Sequence, residues 1–228
     1  MEIDKLKVLK AGKIASEAKK YARTITKKGT PLLEIADKIE AKIVELGGKP
    51  AFPVNLSIDD IAAHYTPSHE DKTLAHGLLK IDLGVHIDGW VADTAFSMDL
   101  ENNDENRKLI EASENALASA AKVIKLNSKN NEIGKAIQKA IESTKFSPII
   151  NLSGHGIDKY ELHSGITIPN IDNHQEISLK EGLYAIEPFA TNGAGKVYDG
   201  KPSGIYELIS EKNVRSQNAR EVLDFIIK

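Results

Sequence analysis

Asp82 and Asp93 fall within Lys80-Ile81-Asp82-Leu83-Gly84-Val85-His86-Ile87-Asp88-Gly89-Trp90-Val91-Ala92-Asp93. Asp-Gly between two apolar, β-branched runs is the preferred pair for a two-residue type I′ hairpin turn. With Asp88-Gly89 as the loop, Ile87 faces Trp90, Asp82 opposes Ala95 and Asp93 opposes Gly84. The two aspartates then share one face as diagonal neighbours, roughly 7–8 Å apart at Cα. Carboxylates that close repel unless something positive sits between them, and a pair of divalent metal ions would do that. The ordinary alternative puts one acid in solvent and uses the other to cap a backbone group.

Three further positions bear on that choice. His155 stands in Ser153-Gly154-His155-Gly156 at the end of an apolar run, where flanking glycines permit a sharp turn and an unobstructed imidazole. His163 follows in Tyr160-Glu161-Leu162-His163. Taken alone, His155 reads equally as an ordinary loop histidine, and His163 reads more readily as an ordinary polar residue. Glu187 lies inside Tyr184-Ala185-Ile186-Glu187-Pro188-Phe189. A carboxylate buried there costs several kcal/mol unless it is paired or bound to metal. The following Pro188 cannot continue a central ladder, which places Glu187 near a strand end facing a cavity. Asp82, Asp93, His155 and Glu187 thus make a carboxylate-rich set with one histidine.

Composition narrows the chemistry. The 228 residues carry a net charge of −3 and no cysteine. Disulfides and thiolate ligands are excluded, so a metal must be held by His and carboxylates, the set suited to Mn, Fe, Co or Zn. Nothing strongly basic points to nucleic acid as an obligatory partner. No apolar run approaches the roughly 20 residues needed to span a bilayer, and the N-terminus is charged rather than signal-like. The expectation is a cytoplasmic protein without membrane contact.

The elements that must position these residues follow from periodicity. Leu6, Val8, Leu9, Ala11, Ile14, Ala15 and Ala18 predict a helix over about 4–27. Thr30 as N-cap and Pro31 at the first helical position open a second, ended by Gly47-Gly48. The hairpin occupies about 78–99, and helices follow at about 104–126 and 131–144. Strands are predicted at Pro148–Leu152, Gly165–Ile168, Leu183–Phe189 and Ile205–Ile209, and a polar amphipathic helix over Asn213–Lys228. The order suggests an α+β fold of two similar halves, an antiparallel sheet flanked by helices, read as one domain over 1–228.

Together with Ala51-Phe52-Pro53, Ala62-Ala63-His64-Tyr65-Thr66-Pro67, Gly154-His155-Gly156, Leu162-His163 and Ala185-Ile186-Glu187-Pro188-Phe189, the acidic hairpin resembles the type 2 methionine aminopeptidases of archaeal form. Each phrase is short, but their order and spacing are highly specific from the first helix to about Leu208. The resemblance implies the pita-bread fold and two divalent metal ions (Co, Mn, Fe or Zn). It makes Asp82 a ligand of one ion and Asp93 a bridge to both, with His155 and Glu187 on the second. His64 and His163 correspond to non-ligand histidines that contact the scissile peptide, and Phe52 to a wall of the methionine pocket, with Leu162 and Ile205 contributing. The implied reaction is removal of the N-terminal methionine from nascent polypeptides, by attack of a metal-held hydroxide with Glu187 managing protons. Nascent chain ends are the implied partners, with the ribosome as a further contact, and the expected state is a monomer.

The family's fifth ligand, a bridging glutamate on a late strand, has no counterpart before Lys228. The expectation is a C-terminally truncated chain whose last sheet strands are missing, with about 213–228 starting the type 2 helical insertion. One metal ion should then bind tightly and the second weakly. The rival readings are an Xaa-Pro aminopeptidase or prolidase of the same fold, and a non-catalytic homologue or inactive fragment acting as a binding module.

Overall fold

A computed structural model describes residues 2–227. The first half opens with α1 (Lys5–Ile25) and α2 (Leu32–Glu45). Ala11, Ile14, Ala15, Ala18 and Ala22 form the buried stripe of α1, and their small side chains let the helix lie close to the sheet. Asp4 caps the helix by accepting from Lys7 N at 3.1 Å. Short strands β1 (Lys49–Pro50) and β2 (Asn55–Ile58) lead to the long hairpin of β3 (Leu78–Ile87) and β4 (Trp90–Asp99). β1 and β2 both pair with one side of β3, and β4 takes the other. The register is the one expected: Ile87 opposes Trp90, Asp82 opposes Ala95 and Gly84 opposes Asp93. Leu79, Ile81, Leu83 and Val85 alternate toward the helices and are fully buried. Each contributes about 1.5–3 kcal/mol of apolar burial to that face. Lys80 and Asp82 therefore lie on the opposite face.

The second half repeats the plan. Helices α3 (Asp104–Val123) and α4 (Asn130–Glu142) come first, then β5 (Ser147–Pro148), β6 (Ser153–Asp158), β7 (Glu161–Pro169), β8 (Leu183–Ala185) and β9 (Ala190–Thr191). β6 is flanked by β7 and β8, and β5 pairs with β9, all antiparallel. Ala112, Ala116, Ala120, Ile133, Ile137 and Ile141 pack the helices against Ile168 of β7 in a second core. Each half thus has its own core beneath a helix pair. The tips of the two hairpins meet: Tyr160 N donates to Gly89 O at 2.9 Å, and the Tyr160 and His86 rings stand edge to face at 5.8 Å.

Several expectations need correction. Thr30 does not cap α2. Pro31 takes that position, and Leu32 N donates instead to Thr73 O at 2.9 Å. The run Leu183–Phe189 is a strand only to Ala185, because the chain leaves β6 before the Pro188 it could not pair. Beyond β5, the Pro148–Leu152 run bends away, with Ile149 N bonded to Phe189 O and Ile150 N to Gly195 O. Ile205–Ile209 forms no strand among the described residues. No neighbouring backbone is in place to receive its ladder bonds, and Tyr206 and Ile209 are both 92% exposed. The last helix, α5 (Gln217–Ile227), begins later than expected and has no buried residue. Lys228, at its expected end, lies outside the described residues, as does Met1.

Candidate metal centre

The candidate centre lies between the halves, with one acid from β4, one histidine from β6 and one glutamate from the segment after β8. Asp93, His155 and Glu187 each offer a ligand atom within 4.8 Å of the others. His155 Nε2 is 2.9 Å from Glu187 Oε1 and 3.5 Å from Asp93 Oδ2. Its other nitrogen, Nδ1, lies 3.1 Å from Gly156 O. A carbonyl can only accept, so Nδ1 carries the proton and Nε2 is the nitrogen turned to the acids.

The glycines beside His155 act differently from expectation. No sharp turn occurs: His155 lies within β6 and is paired across to Thr167 and Ala185. A Cβ on Gly154 would sit 2.2 Å from Ala185 O, and one on Gly156 would sit 2.2 Å from Ser164 O. Glycine is needed here because neighbouring backbone passes too close for any side chain. That close approach brings the residues after β8 within reach of the imidazole.

Electrostatics explain what the cluster needs. Burial alone would push the His155 imidazolium down, but hydrogen bonds to Asp93 and Glu187 overcome this and raise its pKa to about 10. Asp82 is pushed well above the usual carboxylate range, first by burial and then by repulsion from Asp93 and Glu187, against the attraction of His155. Three carboxylates thus crowd around one positive charge. A divalent cation fits the same position: two hard oxygens and one imidazole nitrogen already converge, and the hydrogen bond from Nδ1 to Gly156 O already sets the tautomer.

Asp82 lines the same cavity as Asp93 and Glu187, a space of about 560 Å³, but it is not part of the three-residue convergence. His64 is exposed and borders that cavity. His163 packs edge-on against His155, ring centroids 4.4 Å apart. Burial, then the His155 charge, push its pKa down, which favours the neutral ring. The Phe52 ring fills the space a side chain on Gly84 would take, with Cε1 2.3 Å from that Cβ position. Leu162 on β7 and Ile205 in the coil after β9 are half-buried and lie outside the residues lining the cavity.

Lys19 and Arg23, absent from the residues expected at the site, also reach the cavity from α1. Lys19 Nζ donates to Thr94 Oγ1 at 3.0 Å, and the Arg23 guanidinium lies 4.2 Å above the Phe96 ring. Their i, i+4 spacing on an otherwise Ala-rich face was the available signal.

Comparison with known proteins identifies the family. The model of metallopeptidase family M24 matches residues 7–222. A methionine aminopeptidase of Pyrococcus horikoshii is 49% identical over 98% of this chain and 76% of its own length. The crystal structure of a methionine aminopeptidase from Thermotoga maritima superposes with a TM-score of 0.79 at 24% identity, covering 89% of this chain and 87% of that one. The prolidase from Pyrococcus furiosus shares the fold with a TM-score of 0.68 at 24% identity, over 79% of this chain and 54% of its own. These solved neighbours carry the pita-bread fold expected above. With the family model matching residues 7–222 and an archaeal methionine aminopeptidase 49% identical over nearly the whole chain, the chain belongs to metallopeptidase family M24, among its methionine aminopeptidases.

Proposed function

We propose that this chain removes the N-terminal methionine from polypeptides, using a divalent metal centre held by Asp93, His155 and Glu187. The observation that carries the reading is the convergence of those three ligand atoms within 4.8 Å in a protein 49% identical to an archaeal methionine aminopeptidase. Asp82, on the same cavity wall, would be the first additional ligand for a second ion, with Asp93 as the carboxylate common to both. The O/N ligand set accepts Mn, Fe, Co or Zn.

A divalent cation held there supplies Lewis-acid polarisation of the scissile carbonyl and water of lowered pKa. The protein's own groups do the rest. His64, exposed at the cavity mouth, is placed to donate to the carbonyl oxygen as charge develops on it. His163, favoured in the neutral form, can orient the peptide without repelling the free α-amine of the substrate. Glu187, whose carboxylate stands beside His155 on the cavity wall, would be the group that takes and returns a proton during amide cleavage. Phe52, with Leu162 and Ile205, is assigned to the methionine side chain. The partners are the free N-termini of newly made chains, with the ribosome as their source. Both halves contribute ligands to this site, and residues 1–228 are read as a single catalytic domain.

The test is release of free methionine from Met-Ala-Ser by the purified chain loaded with Mn²⁺ or Co²⁺, beside an Xaa-Pro peptide as control. Cleavage of Met-Ala-Ser alone supports the reading. Cleavage of the Xaa-Pro peptide alone, or of neither by the metal-loaded chain, overturns it.

A further inference from the structure

His64 has a backbone φ of 64°. This left-handed conformation costs a non-glycine residue of order 1 kcal/mol or more and persists only where the surroundings impose it. The surroundings here are specific. Leu56 N donates to Tyr65 O at 2.6 Å, Tyr65 N to Ser57 Oγ at 3.4 Å and Thr66 Oγ1 to Val54 O at 3.0 Å, so the residues after His64 are tied to β2 and its approach. The Tyr65 ring packs on the first core. Its hydroxyl donates to Asp71 Oδ2 at 2.6 Å and lies 3.2 Å from Thr73 Oγ1. Asp71 Oδ1 in turn accepts from Thr73 N at 2.7 Å, and Thr73 O receives Leu32 N at the start of α2. An unbroken chain of bonds therefore runs from α2 through Thr73 and Asp71 to Tyr65, the residue next to His64.

We propose that Tyr65 and Asp71 are positioning residues for the reaction, their hydrogen bond holding His64 in the left-handed conformation that keeps its imidazole at the cavity mouth. Without the hydroxyl, the Tyr65 ring keeps its packing but loses its tie to Asp71 and Thr73. His64 can then relax to the extended region, which redirects its Cα–Cβ bond away from the cavity. The kinetic consequence rests on the reading of His64 as a substrate-contacting group; the conformational one does not.

The experiment uses Tyr65→Phe in the full chain, with two readouts. The ¹³Cα and ¹³Cβ chemical shifts of His64 report its backbone conformation directly. They should move from left-handed toward extended values, with metal affinity by calorimetry unchanged. In the metal-loaded chain, kcat on Met-Ala-Ser should fall by about 10- to 100-fold, as for a misplaced catalytic group, with KM little altered. In a His64→Ala background the same change should cost less than about 2-fold, because there is no imidazole left to misplace. Asp71→Ala should reproduce both effects. Unchanged His64 shifts in Tyr65→Phe would overturn the proposal. So would an equal loss of kcat with and without His64, since the tyrosine would then act independently of it. A metal-loaded chain that cleaves no Met-Ala-Ser overturns the assigned function, while the chemical shifts still decide whether Tyr65 positions His64.

Discussion

Glu187 Oε1 lies 2.9 Å from His155 Nε2, although one residue follows β8 and the other lies within β6. The contact exists because β6 and β8 approach so closely that Gly154 has no room for a side chain. Strand spacing therefore sets the ligand geometry.

Metal binding should depend unequally on the four acidic and histidine candidates. Calorimetric titration with Mn²⁺ should show one tight site, and saturation should raise the thermal midpoint by linkage. His155→Ala or Glu187→Ala should remove both the heat signal and the thermal shift. Asp82→Asn, outside the convergent group, should change the tight site's affinity by no more than about 10-fold. Equal loss in Asp82→Asn and His155→Ala would show that Asp82 belongs to the same ion.

His64 and His163 should separate binding from turnover. His64→Ala and His163→Ala should each keep metal affinity while lowering turnover of Met-Ala-Ser by about 10²–10⁴-fold, the usual worth of a placed acid–base group. Loss of metal in His163→Ala would mean that its edge-on contact with His155 also holds the ligand in place.

Two glycine-to-alanine changes should act in opposite directions. Gly154→Ala forces a Cβ to within 2.2 Å of Ala185 O, so β6 and β8 must part. Urea unfolding should show a loss of about 3 kcal/mol, in the range of severe core clashes, and metal affinity should fall with it. Gly12→Ala, within α1 and with nothing within 4 Å of the new Cβ, should gain about 0.5–1 kcal/mol.

Asp99 links the end of β4 to α3 and gives the fold an acid sensitivity away from the metal centre. It accepts from Asn103 N at 2.6 Å and from Glu101 N and Asn106 Nδ2 at 3.1 Å, and pairs with Arg107 at 3.6 Å. Burial alone would raise its pKa, but these donors and the arginine outweigh it and hold the carboxyl below its ordinary 3.8. A depressed folded-state pKa stabilises above the unfolded value, and that stability is lost as pH falls through the folded one. Asp99→Ala should therefore cost about 1–2 kcal/mol at neutral pH, the range for a lost cap. The difference between the two proteins should shrink below pH 4, as read from urea midpoints across the pH series. A difference that persists undiminished at pH 2 would show that packing, not charge, is responsible.

The hairpin register and the face shared by Asp82 and Asp93 were legible in the sequence because their causes are local. An Asp-Gly turn selects one pairing, and strand alternation carries it ten residues in each direction. The helix stripes were legible for the same reason, being short-range periodicities. The order of the motif phrases likewise pointed to the family and the fold. Tertiary structure alone decided which acids reach the imidazole, since Asp93, His155 and Glu187 are brought together by packing between two halves that share no continuous ladder. It also decided the purpose of Gly154, where backbone passing from β8 rather than a turn excludes a side chain. His64 owes its left-handed backbone to hydrogen bonds around Tyr65 and Asp71 that no spacing rule encodes. Ile205–Ile209 has a strand's composition but forms none among the described residues, because a strand is completed by the hydrogen bonds of a neighbour and not by its own residues.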